Sequence, residues 1–160
     1  MRKLILLSNL LLLISISLHS QTYVSSTFNF NDEGWLLTGD SESSVPDYHE
    51  SSGNPDGCIS GNDAAEGGVW FFSAPYKFLG NMESAFGTNI MFDLRQSKTT
   101  RQFNTSDVVL EGNGVELVFD TENNPSITWT HYEVPLTAEA GWKINAIDGT
   151  DATESDIRNE

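Results

Sequence analysis

Short runs of β-branched and aromatic residues, each followed by residues that favour turns, recur along most of the chain. The candidate strands are residues 23–30, 35–38, 58–60, 69–72, 88–94, 107–110, 115–119, 127–134 and 142–145. Helical periodicity extends over no more than about two turns, and the one short helix we predict begins after Thr153, a residue suited to cap it. Regularly spaced strands without helices between them predict an all-β fold of the sandwich or jelly-roll type.

Two connecting segments carry specific expectations. Gly112-Asn113-Gly114 lies between two apolar runs, and because Gly and Asn tolerate positive φ, we predict a β-hairpin there. Residues 41–52 are mostly polar, so we predict a long loop for them.

The N-terminus has the features of a secretory signal peptide. Arg2 and Lys3 form a basic start, followed by an apolar run over residues 4–18. This run is too short to span a bilayer comfortably, since a transmembrane helix needs about 20 apolar residues. We predict a signal peptide over residues 1–21, one folded domain over 22–160, and a secreted or cell-surface protein; an uncleaved membrane anchor is the alternative.

The chain is strongly acidic, with a formal net charge of −15. Removal of the signal would take away Arg2 and Lys3 and leave 6 Lys and Arg against 23 Asp and Glu, a formal charge of −17. Such a surface repels phosphate backbones and anionic lipids, so we expect neither a nucleic acid partner nor membrane insertion after signal removal. A solvated surface without a charged partner explains the acidity equally well.

Cys58 is the only cysteine, so the chain cannot form an internal disulfide even if it is exported. We expect Cys58 to be a small buried residue. A reactive thiol is the alternative, but it needs an electropositive setting, and the sequence has no Lys or Arg between Lys3 and Lys77.

Several separated motifs, in a fixed order, resemble the laminin IV type A (laminin B) domain from Phe28 to Ile157. They are FNFNDEGW (28–35) with Asp40, GNPDGCIS (53–60) with Asp63, GGVWFFSAPYKFLGN (67–81), Phe86-Gly87, IMFDL (90–94), DVVLEG (107–112), YEVPL (132–136), Gly141-Trp142 and ATESDI (152–157). The resemblance implies a jelly-roll β-sandwich similar to galactose-binding and carbohydrate-binding modules. It also implies a secreted member, of bacterial type, with an extracellular adhesion or matrix role.

The chain departs from that family at two places. Cys58 stands where an aromatic residue such as Tyr is expected. The sequence also stops at Glu160, within the short helix and before the last strand of the family, so the resemblance predicts a domain with an unpaired sheet edge and a tendency to self-associate.

The physics of the 70–75 segment agrees with this resemblance. Pro75 lacks an amide donor and biases Ala74 toward extended geometry, so the strand must end there. Alternation places Trp70 and Phe72 on one face of the strand and Phe71 on the other. We expect all three to pack in the interior; an exposed aromatic platform for a ligand is the alternative.

Motifs for catalysis do not appear in the sequence. Nucleophile elbows, His-Glu-x-x-His and phosphate-binding glycine loops are absent, and after signal removal only His49 and His131 remain, too few for a convincing zinc site. Paired carboxylates for a glycosidase are not singled out by any motif. We therefore expect no enzyme activity.

Calcium is the one cofactor that we consider. A structural ion held by loop carbonyls and an acid such as Asp32 or Asp63 would compensate for the lack of disulfides. The alternative is that these are solvated acids in turns.

The strand at 127–134 offers the best candidate ligand surface. Alternation places Trp129, His131 and Glu133 on one face, together with Ile127. An indole beside an imidazole and a carboxylate is a combination that stacks on a sugar ring and binds its hydroxyls. A Trp129 packed under a neighbouring loop is the alternative.

Three functions follow as hypotheses. The first is a secreted, non-catalytic adhesion module that engages an extracellular glycan or protein. The second is an accessory carbohydrate-binding domain of a larger secreted hydrolase, and the third is an architectural spacer without a ligand.

Overall fold

The structure, a computed structural model, describes residues 24–100 and 102–159. The predicted signal peptide therefore lies outside the described residues. The strands are β1 (Leu36–Gly39), β2 (Asp47–His49), β3 (Cys58–Ser60), β4 (Trp70–Ser73), β5 (Asn89–Leu94), β6 (Val108–Gly112), β7 (Val115–Phe119), β8 (Thr130–Pro135) and β9 (Lys143–Ile144). Three 3₁₀ turns (Tyr76–Phe78, Glu83–Ala85 and Ala138–Ala140) and one helix, α1 (Glu154–Arg158), complete the regular structure of this part.

All the strand pairs are antiparallel. β1 pairs with β4, β2 with β3 and β5 with β8, while β6, β7 and β9 form a three-stranded sheet in that order. The predicted all-β class is confirmed. The jelly-roll sandwich stays a prediction, because the described strands form these four small sheets and not two continuous ones.

Two of the sequence predictions are wrong at the level of elements. The predicted strand 23–30 is not present in its described part, residues 24–30. Phe28 has a φ of 51°, which interrupts extended backbone. The amides of Thr27 and Phe28 bind the Glu33 carboxylate and not a neighbouring strand. The predicted loop over 41–52 contains β2. Three polar and aromatic residues are too few for a periodic signal, and β2 exists because β3 pairs with it.

Local chemistry determines how β4 and the β6–β7 hairpin end. β4 stops at Ser73, and Pro75 begins the 3₁₀ turn Tyr76–Phe78, as its missing amide requires. In the hairpin, Gly112 pairs with Val115, and Asn113 and Gly114 have φ values of 46° and 82°. Positive φ at both central residues is the type I′ arrangement that matches the twist of the strands.

The hydrophobic core lies in the C-terminal half of the chain. Its buried centre consists of Leu117, Val134, Trp142, Ala152 and Ile157. The Trp142 ring is fully buried, and its indole nitrogen donates to the Pro135 carbonyl at 2.7 Å, so no polar atom of this side chain is left unpaired.

Helix α1 closes over this core. Thr153 forms the predicted cap, accepting from the Asp156 amide, while the Asp156 carboxylate accepts from the Thr153 amide at 2.8 Å. The Thr153 hydroxyl also donates to this carboxylate, at 2.7 Å, and the hydroxyl and amide bonds together lower the pKa of Asp156, since they favour its charged form. The cap thus pairs two backbone amides, those of Thr153 and Asp156, and directs Ile157 into the core.

A second cluster packs the N-terminal segment against the 3₁₀ turn Tyr76–Phe78. The Trp35 ring contacts Phe28 and Phe78 edge-on, and its indole nitrogen donates to Ser26 at 2.7 Å. Gly57 is also part of this packing, because a Cβ on it would lie 1.8 Å from the Phe28 carbonyl oxygen. Only glycine allows the two backbones to approach so closely.

Candidate functional site

The outer face of the β5–β8 pair carries the predicted ligand residues. Ile90 and Phe92 of β5 pack against the core, and Tyr132 and Val134 of β8 are buried. Strand alternation therefore directs the intervening residues to the other side. We call this side the β5–β8 outer face; it consists of Asn89, Met91 and Asp93 of β5 with His131 and Glu133 of β8. We include in it Arg95, which directly follows β5, and Trp129, which directly precedes β8, because these two side chains contact each other.

His131 lies at the centre of this face, between two carboxylates. The strand register sets Asp93 directly opposite His131, and His131 Nδ1 lies 2.9 Å from Asp93 Oδ1. His131 Nε2 lies 3.5 Å from Glu133 Oε1. The hydrogen bond to Asp93, reinforced by the charges of both carboxylates, raises the pKa of His131 above 6.5. The imidazole is therefore protonated at a higher pH than a free histidine.

Trp129 lies just beyond the last residue pair of the two strands, Leu94 with Thr130. The Arg95 guanidinium lies over its ring, 5.0 Å from the centroid. Trp129 is half-buried, and one face of its indole is already covered by a cation. His131 and Glu133 contact each other, whereas Trp129 lies before the first residue of β8, in the part of the predicted strand 127–134 that is not a strand. Arg95 also covers one face of the Trp129 ring and reduces its stacking platform for a sugar ring.

Sequence reasoning missed Asp93, Arg95, Met91 and Asn89. Alternation along 88–94 contained the signal, since it places Asn89, Met91 and Asp93 on one face of their strand. What the sequence did not show is that β5 pairs with β8, which brings Asp93 to His131 over 38 positions of sequence. Asn89 also approaches Glu133, with 3.4 Å between the amide nitrogen and the carboxylate.

The two residues considered for calcium lie in separate turns. Asp32 accepts a hydrogen bond from the Gly34 amide at 3.0 Å, and Asp63 accepts one from the Ala65 amide at 2.9 Å. Each bond stabilises its own turn. In residues 24–100 and 102–159, no group of three or more His, Cys, Asp or Glu side chains is placed to hold a metal ion. A calcium site built from loop carbonyls stays a prediction.

The β2–β3 hairpin brings His49 and Ser60 together, with 2.8 Å between Nε2 and Oγ. Such a pair resembles the start of a nucleophile and base arrangement. Acyl transfer also needs a group that orients the imidazole, and within the described part of the chain the other ring nitrogen of His49 has no hydrogen-bond partner. The contact therefore serves to tie the two strands together.

Cys58 is buried, as predicted, at 8% exposure. Burial raises the pKa of its thiol, although the nearby charge of Arg95 acts in the opposite direction. The thiol stays protonated at neutral pH and is a poor nucleophile.

The aromatic residues of β4 follow the predicted alternation. The Trp70 and Phe72 rings contact each other edge-on, with 5.2 Å between their centroids. The three aromatic side chains of 70–72 are half-buried, so they do not form an exposed platform.

An open depression of about 420 Å³ lies elsewhere, at the turn of the β6–β7 hairpin. It is lined by Glu111, Gly112, Asn113, Gly114, Val115, Glu116 and Asn145. None of these residues belongs to the β5–β8 outer face.

Comparison with known proteins identifies one family. The Laminin B (Domain IV) family matches residues 71–159, which include β5, β8 and the core. Laminin subunit gamma-1 of Danio rerio is 33% identical over 94 residues, 59% of this chain. Laminin subunit gamma-1 of Homo sapiens is 29% identical over 113 residues, 68% of this chain.

The chain corresponds to a small part of these relatives, 6% of the length of the Danio rerio protein and 7% of the Homo sapiens protein. No solved structure gives a significant match. Across the described residues, no helix is long and apolar enough to cross a membrane.

Proposed function

This chain belongs to the laminin B (Domain IV) family, and we propose that it is an extracellular, non-catalytic binding module of the matrix type. The observation that carries this proposal is the β5–β8 outer face. One side of this strand pair packs into the core, while the other presents Trp129, His131 and Glu133 together with Asp93 and Arg95. A rigid sheet that displays mixed aromatic and charged groups is suited to binding a macromolecular partner.

An extracellular location is supported by the signal-like start of the sequence and by the family. The names of the relatives, laminin subunits gamma-1 and gamma-2, support a role in matrix-type contacts. The partner that we propose is an extracellular glycan or protein, as the sequence predicted.

The chemistry of the described side chains favours binding over catalysis. The Cys58 thiol is buried and protonated, and the imidazole of His131 is occupied by two carboxylates. The thiol is therefore a poor nucleophile, and among the described residues the His131 ring contacts carboxylates and no hydroxyl or thiol that it could activate.

The proposal is tested by binding of the purified chain to an array of extracellular matrix proteins and glycans. We expect selective binding to at least one of them. Trp129→Ala should weaken this binding about tenfold, because a large aromatic side chain in an interface typically contributes the most to affinity. Tyr76→Ala is the matched control, since Tyr76 is 87% exposed and lies outside the β5–β8 outer face.

Thermal unfolding of both variants shows whether the fold is intact. If no matrix ligand binds, or if Trp129→Ala and Tyr76→Ala affect binding equally, the proposed function of this face is wrong. Turnover of a glycoside, ester or peptide substrate that disappears in a single carboxylate variant would contradict the non-catalytic assignment.

A further inference from the structure

The charges of the β5–β8 outer face indicate what kind of partner it fits. Resting on the function proposed above, we propose that this face docks a basic segment of an extracellular protein, whose Lys or Arg side chain pairs with the solvent-exposed carboxylate oxygens of Asp93 and Glu133. The two carboxylates are joined through His131, which lies 2.9 Å from Asp93 and 3.5 Å from Glu133. A cation from a partner would pair with the carboxylate oxygens that the imidazole does not contact.

The two positive groups near these carboxylates do not neutralise both of them at every pH. Arg95 is engaged with the Trp129 ring, 5.0 Å from its centroid. His131 carries a charge only when it is protonated. When His131 is neutral, Asp93 and Glu133 therefore face solvent as two negative charges, with 27% and 57% of their side chains exposed.

Apolar residues flank the charged centre. Met91, which is 58% exposed, lies directly opposite Glu133 in the strand register. Ile127, which is 61% exposed, lies in the bend before β8, outside the strand pair. A protein segment that combines basic and apolar side chains matches this pattern, because apolar contacts supply affinity while the charges select the partner.

Other occupants fit the face less well. A sulfated or otherwise anionic glycan would be repelled by Asp93, Glu133 and the net charge of −15. A neutral sugar would stack on Trp129, but Arg95 covers one face of that ring. A second copy of this chain would bring the same carboxylates to a symmetric interface, where like charges oppose each other.

The arrangement makes docking dependent on pH. The partner's cation and the proton on His131 compete for the same carboxylates, so protonation of His131 weakens binding. The charged groups that face His131 are Asp93 and Glu133, and Arg95 lies two residues after Asp93, just beyond the end of β5. Affinity should therefore rise as the pH is raised through the pKa of His131, which lies above 6.5.

The test uses a synthetic peptide of lysine and leucine, with a glutamate and leucine peptide of the same pattern as its counterpart. Binding to the full chain is followed by two-dimensional NMR, which reports both the affinity and the residues affected. We expect the lysine peptide to shift the amide signals of β5 and β8, and the glutamate peptide to shift none of them. Affinity for the lysine peptide should increase several-fold as the pH is raised above about 6.5, the side on which the pKa of His131 lies.

Variants separate this site from the acidic surface as a whole. Asp93→Asn with Glu133→Gln should weaken peptide binding about tenfold, since it removes two exposed charge pairs. Glu66→Gln with Glu139→Gln removes the same number of charges at exposed positions elsewhere and should change the affinity less than about twofold. His131→Gln should abolish the increase of affinity with pH, since it removes the titrating group.

Equal losses in the two double variants, or shifts spread over the whole chain, would mean that the peptide binds the acidic surface in general and would overturn the proposal. A matrix ligand that depends on Trp129 but is insensitive to salt and to Asp93→Asn with Glu133→Gln would also overturn it. In that case the proposed binding function would stand, and the assigned partner chemistry alone would be wrong. If a neutral glycan displaces the lysine peptide from the β5–β8 outer face, the proposal of a basic partner is likewise wrong.

Discussion

Glu33 is the residue that fixes the N-terminal segment. Its carboxylate accepts from the amides of Thr27 and Phe28 at 2.9 and 2.7 Å and pairs with Lys77. Partial burial opposes its ionisation, but these hydrogen bonds outweigh it and lower the pKa of Glu33 to about 2. One carboxylate therefore joins the segment before β1 to the 3₁₀ turn that follows β4.

We expect Glu33→Gln to lower the free energy of unfolding at neutral pH by about 1–2 kcal/mol, a value that allows for partial exposure of the ion pair. Because the folded pKa is depressed, this contribution is present above the ordinary value of 4.5 and is lost as the pH falls toward about 2. Urea unfolding at several pH values measures it. The difference between the native chain and Glu33→Gln should shrink over that interval, and a constant difference would contradict the assignment. Glu66→Gln, at an exposed position, is the control.

The cap of α1 shows what a short element needs. A helix of five residues is not stable through its own backbone hydrogen bonds, because too few of them form to offset the cost of starting a helix. The reciprocal bonds of Thr153 and Asp156 and the burial of Ile157 therefore stabilise it. Arg158 adds a contact with the Phe86 ring, 3.8 Å from its centroid. The helix therefore depends on its cap and on the core beneath it.

Thr153→Ala should lower the free energy of unfolding by about 1 kcal/mol, because the amide of Asp156 loses its acceptor. Thr153→Ser keeps the hydroxyl and should restore most of this loss. Chemical denaturation measures both variants. If alanine and serine destabilise the chain equally, the hydroxyl does not cap the helix.

The β6–β7 hairpin contains an unfavourable pair. Glu111 lies directly opposite Glu116 in the register, and like charges at such positions destabilise a strand pair. Both strands remain paired, because Leu117 and Val118 on β7 are almost completely buried.

Glu111→Lys turns this repulsion into attraction and should raise the free energy of unfolding by about 0.5–1 kcal/mol. Glu122→Lys makes the same change of charge at an exposed position outside the strands and serves as the control. The gain of Glu111→Lys over Glu122→Lys should decrease in high salt, since the interaction is electrostatic. An equal gain in both variants would assign the effect to net charge and not to the strand pair.

At the scale of the whole molecule, the hydrophobic core in the C-terminal half stabilises a chain with a strongly acidic surface. The formal net charge of −15 favours expansion of the chain through self-repulsion. The buried centre around Trp142 and Val134 opposes it. Stability should therefore depend on ionic strength.

Raising the salt concentration should raise the melting temperature by about 2–5 °C, because ions screen repulsion among surface carboxylates. Calorimetry in low and high sodium chloride measures this shift. A chain with Glu66→Lys and Glu139→Lys, which is less acidic at exposed positions, should melt higher in low salt and respond less to added salt. Identical salt responses would show that repulsion does not limit stability.

The sequence by itself determined the features that depend on a few neighbouring residues. The end of β4 before Pro75, the hairpin at Asn113 and Gly114, and the cap at Thr153 follow from backbone preferences and local hydrogen bonds. The all-β class followed from alternation and turn spacing, and the resemblance in the order of the motifs correctly indicated the family.

Only the tertiary structure decided which strands meet. The pairing of β5 with β8 places Asp93 beside His131, and a contact across 44 positions joins Lys77 to Glu33. β2 is a strand because it pairs with β3. Residues 24–30 do not form the predicted strand, because the amides of Thr27 and Phe28 bind the Glu33 carboxylate. Strand pairing depends on burial and on partners distant in sequence, which no local pattern encodes. The second carboxylate beside His131, that of Asp93, therefore comes from β5, a strand that the sequence alone did not place next to β8. The proposed basic partner depends on this pairing.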